Sequence, residues 1–353
     1  MTPIRRSAAL LTLGLCLLPF IIAAPAEARR EVWTNDQKSK LQQADRLFLE
    51  TIVLTSQADS DRAAIEAVLS QRLRSLGYTI VGDSSQPIDL TVKIKCEERK
   101  TWEGPIRSGG DADQPDAASR LWKGPACQFL YRLNQQWADW RYEVRTERAT
   151  DGGKQAGANL AARLREDDFP YLLAAEWQQA ARLLPVLLDS KAEPPRQAAI
   201  ATLLGNMPAV EAIPALGKAA QSPHVEVSQA ALIALGNIGQ EQCIPMLLNS
   251  LTSTEPKTRL AAIKGLGRLA PLYPTSDIVP VLLARLPQEP IVEQIEIVRA
   301  LGRTPDRRIL PPLKELNRAV QEQARSDSAA DLKELRAALG QALDQFDGTH
   351  TAE

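Results

Sequence analysis

The sequence predicts an α+β amino-terminal domain followed by an all-α solenoid of stacked helix pairs. Four glycines, Gly205, Gly236, Gly267 and Gly302, recur every 31 to 35 residues, each directly after a leucine that closes an alanine-rich stretch. A period of that size marks a stacked helical array. Two segments, "IDLTVKIKC" and "CQFLYRL", alternate apolar and polar residues as half-buried strands do. Trp33, Trp102, Trp122, Trp137 and Trp140, five of the six tryptophans, lie before position 150, so the composition changes before the repeats begin.

Read in register, the repeat units are "QAAIATLLGNM", "SQAALIALGNIG", "RLAAIKGLGRLA" and "QIEIVRALGR". Pro185, Pro214, Pro245, Pro280 and Pro311 each follow an apolar residue and open another helix, because a proline in the first turn lacks only an N–H that would have had no partner there. Glycine suits the far end, where a residue can adopt positive φ. The intervals Pro214 to Gly236, Pro245 to Gly267 and Pro280 to Gly302 are equal, which makes each unit helix, tight turn, helix. Leu204, Leu235, Leu266 and Leu301 are expected to form one core layer, and Ala199, Ala230 and Ala261 to let neighbouring helices approach. No unit can bury its apolar face alone, so stability comes from its neighbours.

This pattern of Ile-Pro, Leu, Ala-Ala and Leu-Gly resembles the HEAT-repeat family, in the short HEAT-like form of the phycobilisome lyases, over about residues 176–345. The resemblance implies a solenoid whose second helices line the concave surface. Family members include bilin lyases and metal-dependent hydroxylases, and the latter carry paired His-Glu ligands on successive repeats. Here the repeats hold one histidine, His224, followed by Val225, so that metal site is not carried over. From Pro311 to Gly340 the last unit is longer, with "QARSDSAAD" inserted, as a capping repeat would be.

In the amino-terminal domain, "RLFLETIVLT" reads as a strand. A helix opened by Asp59 or Ser60 follows, with Ile65, Val68, Leu69, Leu73 and Leu76 on one face and Gly77 at its end. Then come "YTIV", a turn at "GDSSQP", the strand ending at Cys96, a long loop, and the strands "CQFLYRL" and "DWRYEVRTE", in the order β-α-β-β-β-β. Antiparallel pairing of Ile94 with Phe129 sets Cys96 opposite Cys127, which predicts a disulfide if the compartment is oxidising. Cys243 reads as a small core residue. The loop Glu103–Ala126, with "SGGDADQPDAAS", is either disordered or a lid or partner-binding finger, with its flanking tryptophans in the core.

The resulting organisation is a signal peptide over 1–28, a small α/β domain with a disulfide-closed hairpin over 29–150, a linker and connecting helix over 151–175, HEAT-like repeats over 176–345 and a polar tail over 346–353. The linker is "TDGGKQAGAN". The opening "MTPIRR", the apolar run Ala8 to Ala24 and Ala26-Glu27-Ala28 read as a secretory signal cleaved before Arg29, with an uncleaved anchor as the alternative. Export to a bacterial periplasm is the expectation, with no stable membrane insertion after cleavage.

Lys and Arg total 42 against 43 Asp and Glu, so no basic footprint points to nucleic acid. Catalysis needs a base, a metal, an activated nucleophile or a cofactor cradle. The two histidines are His224, in a turn between repeat helices, and His350, in the tail. No Ser-x-x-Lys or Cys-x-x-Cys occurs, and Glu97-Glu98 and Asp167-Asp168 read as solvated charge. No catalytic residue, metal or cofactor is expected. A HEAT-type enzyme related to bilin lyases or hydroxylases, or a carrier of a small ligand near Trp177 and Tyr171, stands as the alternative.

On each second helix the residues three before and one after the glycine lie four apart and share a face. They are Thr202 and Asn206, Ile233 and Asn237, Lys264 and Arg268, Arg299 and Arg303. The stripe becomes basic toward the carboxyl end. Lys264, Arg268, Arg299 and Arg303 are therefore the expected site for a protein partner with an acidic segment, the encounter being assisted by charge attraction.

Overall fold

The computed structural model describes residues 33–105, 119–146, 155–324 and 330–347. The expected signal segment, the loop centre at 106–118, the first half of the glycine-rich linker and His350 lie outside the described residues. So does the centre of the insertion in the last repeat.

The described residues begin with α1 (Asn35–Gln43), which starts where Thr34 and Gln37 cap each other reciprocally: the Thr34 N–H donates to Gln37 Oε1 at 2.9 Å and the Gln37 N–H to Thr34 Oγ1 at 3.3 Å. Next come β1 (Arg46–Leu54), α2 (Ala58–Ser75), β2 (Thr79–Val81), β3 (Leu90–Pro105), β4 (Ser119–Leu133), β5 (Gln136–Trp137) and β6 (Tyr142–Arg145). They form one mixed sheet in the order β2-β1-β3-β4-β5, with β6 also on β4. β1 runs parallel to β2 and β3, and the remaining pairs are antiparallel.

The period-2 pattern puts Leu90, Val92, Ile94 and Cys96 on the face shared with Cys127, Phe129, Tyr131 and Leu133, all buried. Ile94 pairs with Phe129 and Cys96 with Cys127, as the alternation predicts, and the two cysteines are joined by a disulfide. Gly77, at φ 84, ends α2. Glu103–Pro105 and Ser119–Ala126, expected in a loop, belong to the strands β3 and β4, because the hairpin arms continue past a register shift between Glu97 and Lys100. The side chains of Trp102 and Trp122, expected in the core, lie outside the described residues, while Trp137 is 38% exposed on the outer face of the sheet, where Lys93 and Arg132 lie over its ring.

The helices α3 (Ala156–Glu166) and α4 (Phe169–Glu176) precede the repeats but belong to the first core. Leu160, Leu164, Phe169, Leu173 and Trp177 pack against the sheet and α2. The last residues of the expected linker, Ala156 to Asn159, are therefore helical: Gly157 passes so close to α2 that a Cβ on it would stand 1.9 Å from Asp61 Cγ.

The repeats follow as α5 (Ala180–Leu188), α6 (Pro194–Gly205), α7 (Ile213–Ala219), α8 (Val225–Ile238), α9 (Ile244–Ser250), α10 (Pro256–Leu269), α11 (Ile278–Arg285), α12 (Ile291–Gly302), α13 (Leu310–Gln323) and α14 (Ala330–Asp347). Pro214, Pro245 and Pro311 stand in the first turn of α7, α9 and α13. Pro185 instead lies inside α5, where it removes an intrahelical hydrogen bond. Leu204, Leu235, Leu266 and Leu301 are fully buried in one continuous core.

The repeat glycines do not end their helices at positive φ. Among the repeats' described glycines only Gly239, after α8, has that conformation. The reason for each periodic glycine is the next helix: a Cβ on Gly205 would stand 2.5 Å from Ala234 Cα, on Gly236 2.5 Å from Gly265 Cα, on Gly267 2.8 Å from Ala300 Cβ, and on Gly302 2.7 Å from Ala342 Cβ. The first three facing residues each lie two before the following repeat glycine, but Ala342 lies two after Gly340. α14 is thus shifted by one helical turn relative to the other repeats. Ala199 and Ala230, expected at the close approach, are only half-buried.

Candidate functional site

The second helices α6, α8, α10, α12 and α14 pack on one another in sequence, so the positions beside their glycines form a continuous stripe. Asn206, Asn237, Arg268 and Arg303, each directly after a repeat glycine, are all exposed. Lys264 is half-buried one turn before Arg268, whose Nη1 donates to its carbonyl at 3.4 Å. Arg303 reaches back across the bare Gly267 and donates to its carbonyl at 3.4 Å. Lys264, Arg268 and Arg303 are brought together on neighbouring helices, and none has a carboxylate in ion-pair reach among the described residues.

Arg299 differs from the other three. Its guanidinium is held by Glu296 at 2.8 Å on α12 and by Glu334 at 2.8 Å on α14. The positive end of the stripe therefore consists of Lys264, Arg268 and Arg303, and the sequence spacing alone could not reveal Glu334, which arrives from the shifted last helix.

At the opposite, amino-terminal ends of α10 and α12 lies an ionic joint that sequence spacing did not single out. Arg259 on α10 binds Glu293 on α12 through two hydrogen bonds, Nη2 to Oε1 at 2.7 Å and Nε to Oε2 at 3.2 Å, while Arg285 holds Glu289 at 2.5 Å. Burial, reinforced by the adjoining Glu289 carboxyl, pushes the Glu293 carboxyl up.

The junction between sheet and repeats is equally polar. Gln179, buried, donates to the carbonyls of Leu41 at 2.7 Å and Ala44 at 2.9 Å and accepts from Tyr78 Oη at 2.6 Å. Arg182 lies over the Tyr78 ring at 3.9 Å, donates to the Leu76 carbonyl at 3.0 Å and pairs with Asp45 at 2.8 Å. That guanidinium holds the Asp45 carboxyl below its usual range. An open cleft of about 540 Å³ borders this junction, with Gln42, Gln178, Met207 and Glu211 on its walls. Trp177 and Tyr171 do not line it. Trp177 is fully buried, edge-on to Tyr78 and Tyr131, and Tyr171 packs against both cores.

The remaining candidates for chemistry are dispersed. His224 is the exposed N-cap of α8. Glu97 pairs with Lys95, and Glu98 accepts from the Ser56 N–H at 3.0 Å. Asp167, read as solvated, is buried: it accepts from the Phe169 N–H at 2.9 Å at the start of α4, and burial pushes its carboxyl up. Cys243 is a buried free thiol. Among the described residues no group of three or more His, Cys, Asp or Glu is placed to hold a metal ion, and no helix is long and apolar enough to cross a membrane.

Residues 180–267 match the family model described as HEAT repeats. No curated protein matches the chain. Among solved structures, the complex of CpcE and CpcF of phycocyanin lyase from Nostoc sp. PCC7120 is 18% identical, with 50% of this chain and 70% of that chain covered and a TM-score of 0.35. An engineered protein is 21% identical over 57% of this chain and 93% of its own, with a TM-score of 0.34. Human deoxyhypusine hydroxylase in complex with glycerol is 20% identical over 54% and 85%, with a TM-score of 0.26. The family match falls on the helices α5 to α10, where Gly205 packs on Ala234 and Gly236 on Gly265, and this segment is similar to HEAT repeats.

Proposed function

We propose that the protein is an exported, non-catalytic binding scaffold of the bacterial cell envelope, which holds a protein partner with an acidic segment on the exposed stripe of its second helices. The observation that carries this reading is the convergence of Lys264, Arg268 and Arg303 on two adjacent helices without carboxylate partners among the described residues. Unpaired surface cations accelerate encounter with an acidic partner and select against basic ones. The stacked repeats supply a rigid support, since each second helix is locked to the next at a glycine. The periplasm is the proposed location, and an oxidising compartment of that kind would keep Cys96 and Cys127 joined.

The test is affinity capture from envelope extracts with the wild type and K264E/R268E/R303E, followed by mass spectrometry across a salt series. A partner captured by the wild type, released by salt and lost by the variant is the expected result. Equal capture by both proteins overturns the reading. Amino-terminal sequencing of the exported product, expected to begin at Arg29, tests the location.

A further inference from the structure

We infer that the stripe takes an extended, polyproline-II-like peptide segment lying along the array, its backbone held by Asn206 and Asn237 and two of its acidic side chains by Arg268 and Arg303. This assignment rests on the partner-binding reading above and adds to it the conformation and the spacing of the ligand.

The four side chains occupy one repeat position, directly after the glycine, and all are exposed. The two carboxamides make no side-chain hydrogen bond among the described residues. A carboxamide offers both a donor and an acceptor, which suits the N–H and C=O of a peptide group. A guanidinium fork suits a carboxylate. The stripe is therefore divided chemically, with two rungs for uncharged backbone and two for anionic side chains.

Spacing selects the conformation. Second helices in contact at glycines lie at ordinary helix-packing distance, roughly 8–10 Å between axes. A polyproline-II segment advances ~3.1 Å per residue and returns to the same side every third residue, or after about 9 Å. A β-strand turns its third residue to the opposite face. Polyproline II also leaves its own N–H and C=O groups free of internal hydrogen bonds, so they remain available to Asn206 and Asn237. The acidic residues would then stand three apart, with Lys264 strengthening the Arg268 rung. The stripe ends at Arg303, because Arg299 is already occupied by Glu296 and Glu334.

Selection of random twelve-residue displayed peptides against the full chain tests the assignment, with R268E/R303E as counter-selection and binding of the selected synthetic peptides measured by fluorescence anisotropy. Enrichment of an acidic pair separated by two residues is expected. Affinity should fall at least tenfold in R268E/R303E and about fivefold to tenfold in N206A/N237A, and placing proline at both intervening peptide positions should preserve binding. Loss of binding on introducing those prolines, or equal affinity for N206A/N237A and the wild type, overturns this assignment while leaving the acidic-partner reading in place. No enrichment, or peptides that bind R268E/R303E as well as the wild type, overturns both.

Discussion

Gly236 and Gly265 cross with no side chain between them: a Cβ on Gly236 would stand 2.5 Å from the Cα of Gly265 and 3.0 Å from its carbonyl oxygen. Backbone cannot give way as a flexible side chain can. G236A should therefore destabilise the array by about 2 kcal/mol or more, the cost of forcing a methyl group into a packed helix contact. Gly340 is the internal control, since a Cβ there would meet nothing within 4 Å. G340A should stabilise by about 0.5–1 kcal/mol through the helix preference for alanine. Urea unfolding of both variants checks the pair, and destabilisation of equal size by both would refute the contact argument.

The bridge between Cys96 and Cys127 joins β3 to β4 across a sequence separation of 31 residues. Loop-closure entropy over that length corresponds to about 3–4 kcal/mol, and both residues are fully buried. C96A/C127A should lower stability by at least this amount, and reduction of the wild type should lower its unfolding midpoint in the same direction. An unchanged midpoint under reducing conditions, with both thiols confirmed free, would show that the bridge adds nothing.

The register of Ile94 with Phe129 was legible because alternation on both strands is local and one-sided, and a slip by one residue would turn every apolar side chain outward. The leucine layer was legible for the same reason at the helical period. The role of the repeat glycines was not. A Leu-Gly pair looks the same whether the glycine ends a helix or admits a neighbour, and only Ala234, Gly265, Ala300 and Ala342 distinguish the two. The spacing of Leu160 and Leu164, four apart and both fully buried, was a helix signal masked by the glycine-rich composition just before it. The neutralisation of Arg299 by Glu334 depends on the one-turn shift of α14, which follows from packing and has no local signature.

Arg182 joins the two cores through several contacts at once, with donors to the carbonyls of Leu76 and Ala44, to Gln179 Oε1 at 2.8 Å and to Asp45. R182A would leave the Ala44 carbonyl with Gln179 alone and uncover one face of the Tyr78 ring. Charge-assisted hydrogen bonds to buried acceptors are costly to break, so the expected loss is about 3 kcal/mol. Amide hydrogen exchange should rise at α1, at the end of α2 and at the start of α5, with α10 and α12 unaffected. Uniform exchange along the whole chain would instead indicate global destabilisation without a specific junction.

The joint between α10 and α12 makes the stability of the array depend on pH. Glu293 is 3% exposed, and its carboxyl is raised first by burial and then by the hydrogen-bonded Glu289, against the opposing pull of Arg259. A carboxyl whose folded value lies above its unfolded value, about 4.3, binds more proton in the native state. Its stabilising contribution is complete below the unfolded value and is lost as pH rises through the folded one. Urea midpoints measured from pH 4 to 8 should therefore decline more in the wild type than in E293Q, which carries no proton at that position to release. The charged groups facing Glu293 are Arg259 and Glu289, with Arg285 holding Glu289 and Glu255 lying close enough to Arg259 to bear on it. E289Q is thus the second variant, and by removing the neighbouring charge it should move the decline to lower pH. Parallel midpoint curves for the wild type and E293Q would overturn the linkage, because Glu293 would then titrate alike in the folded and unfolded chain.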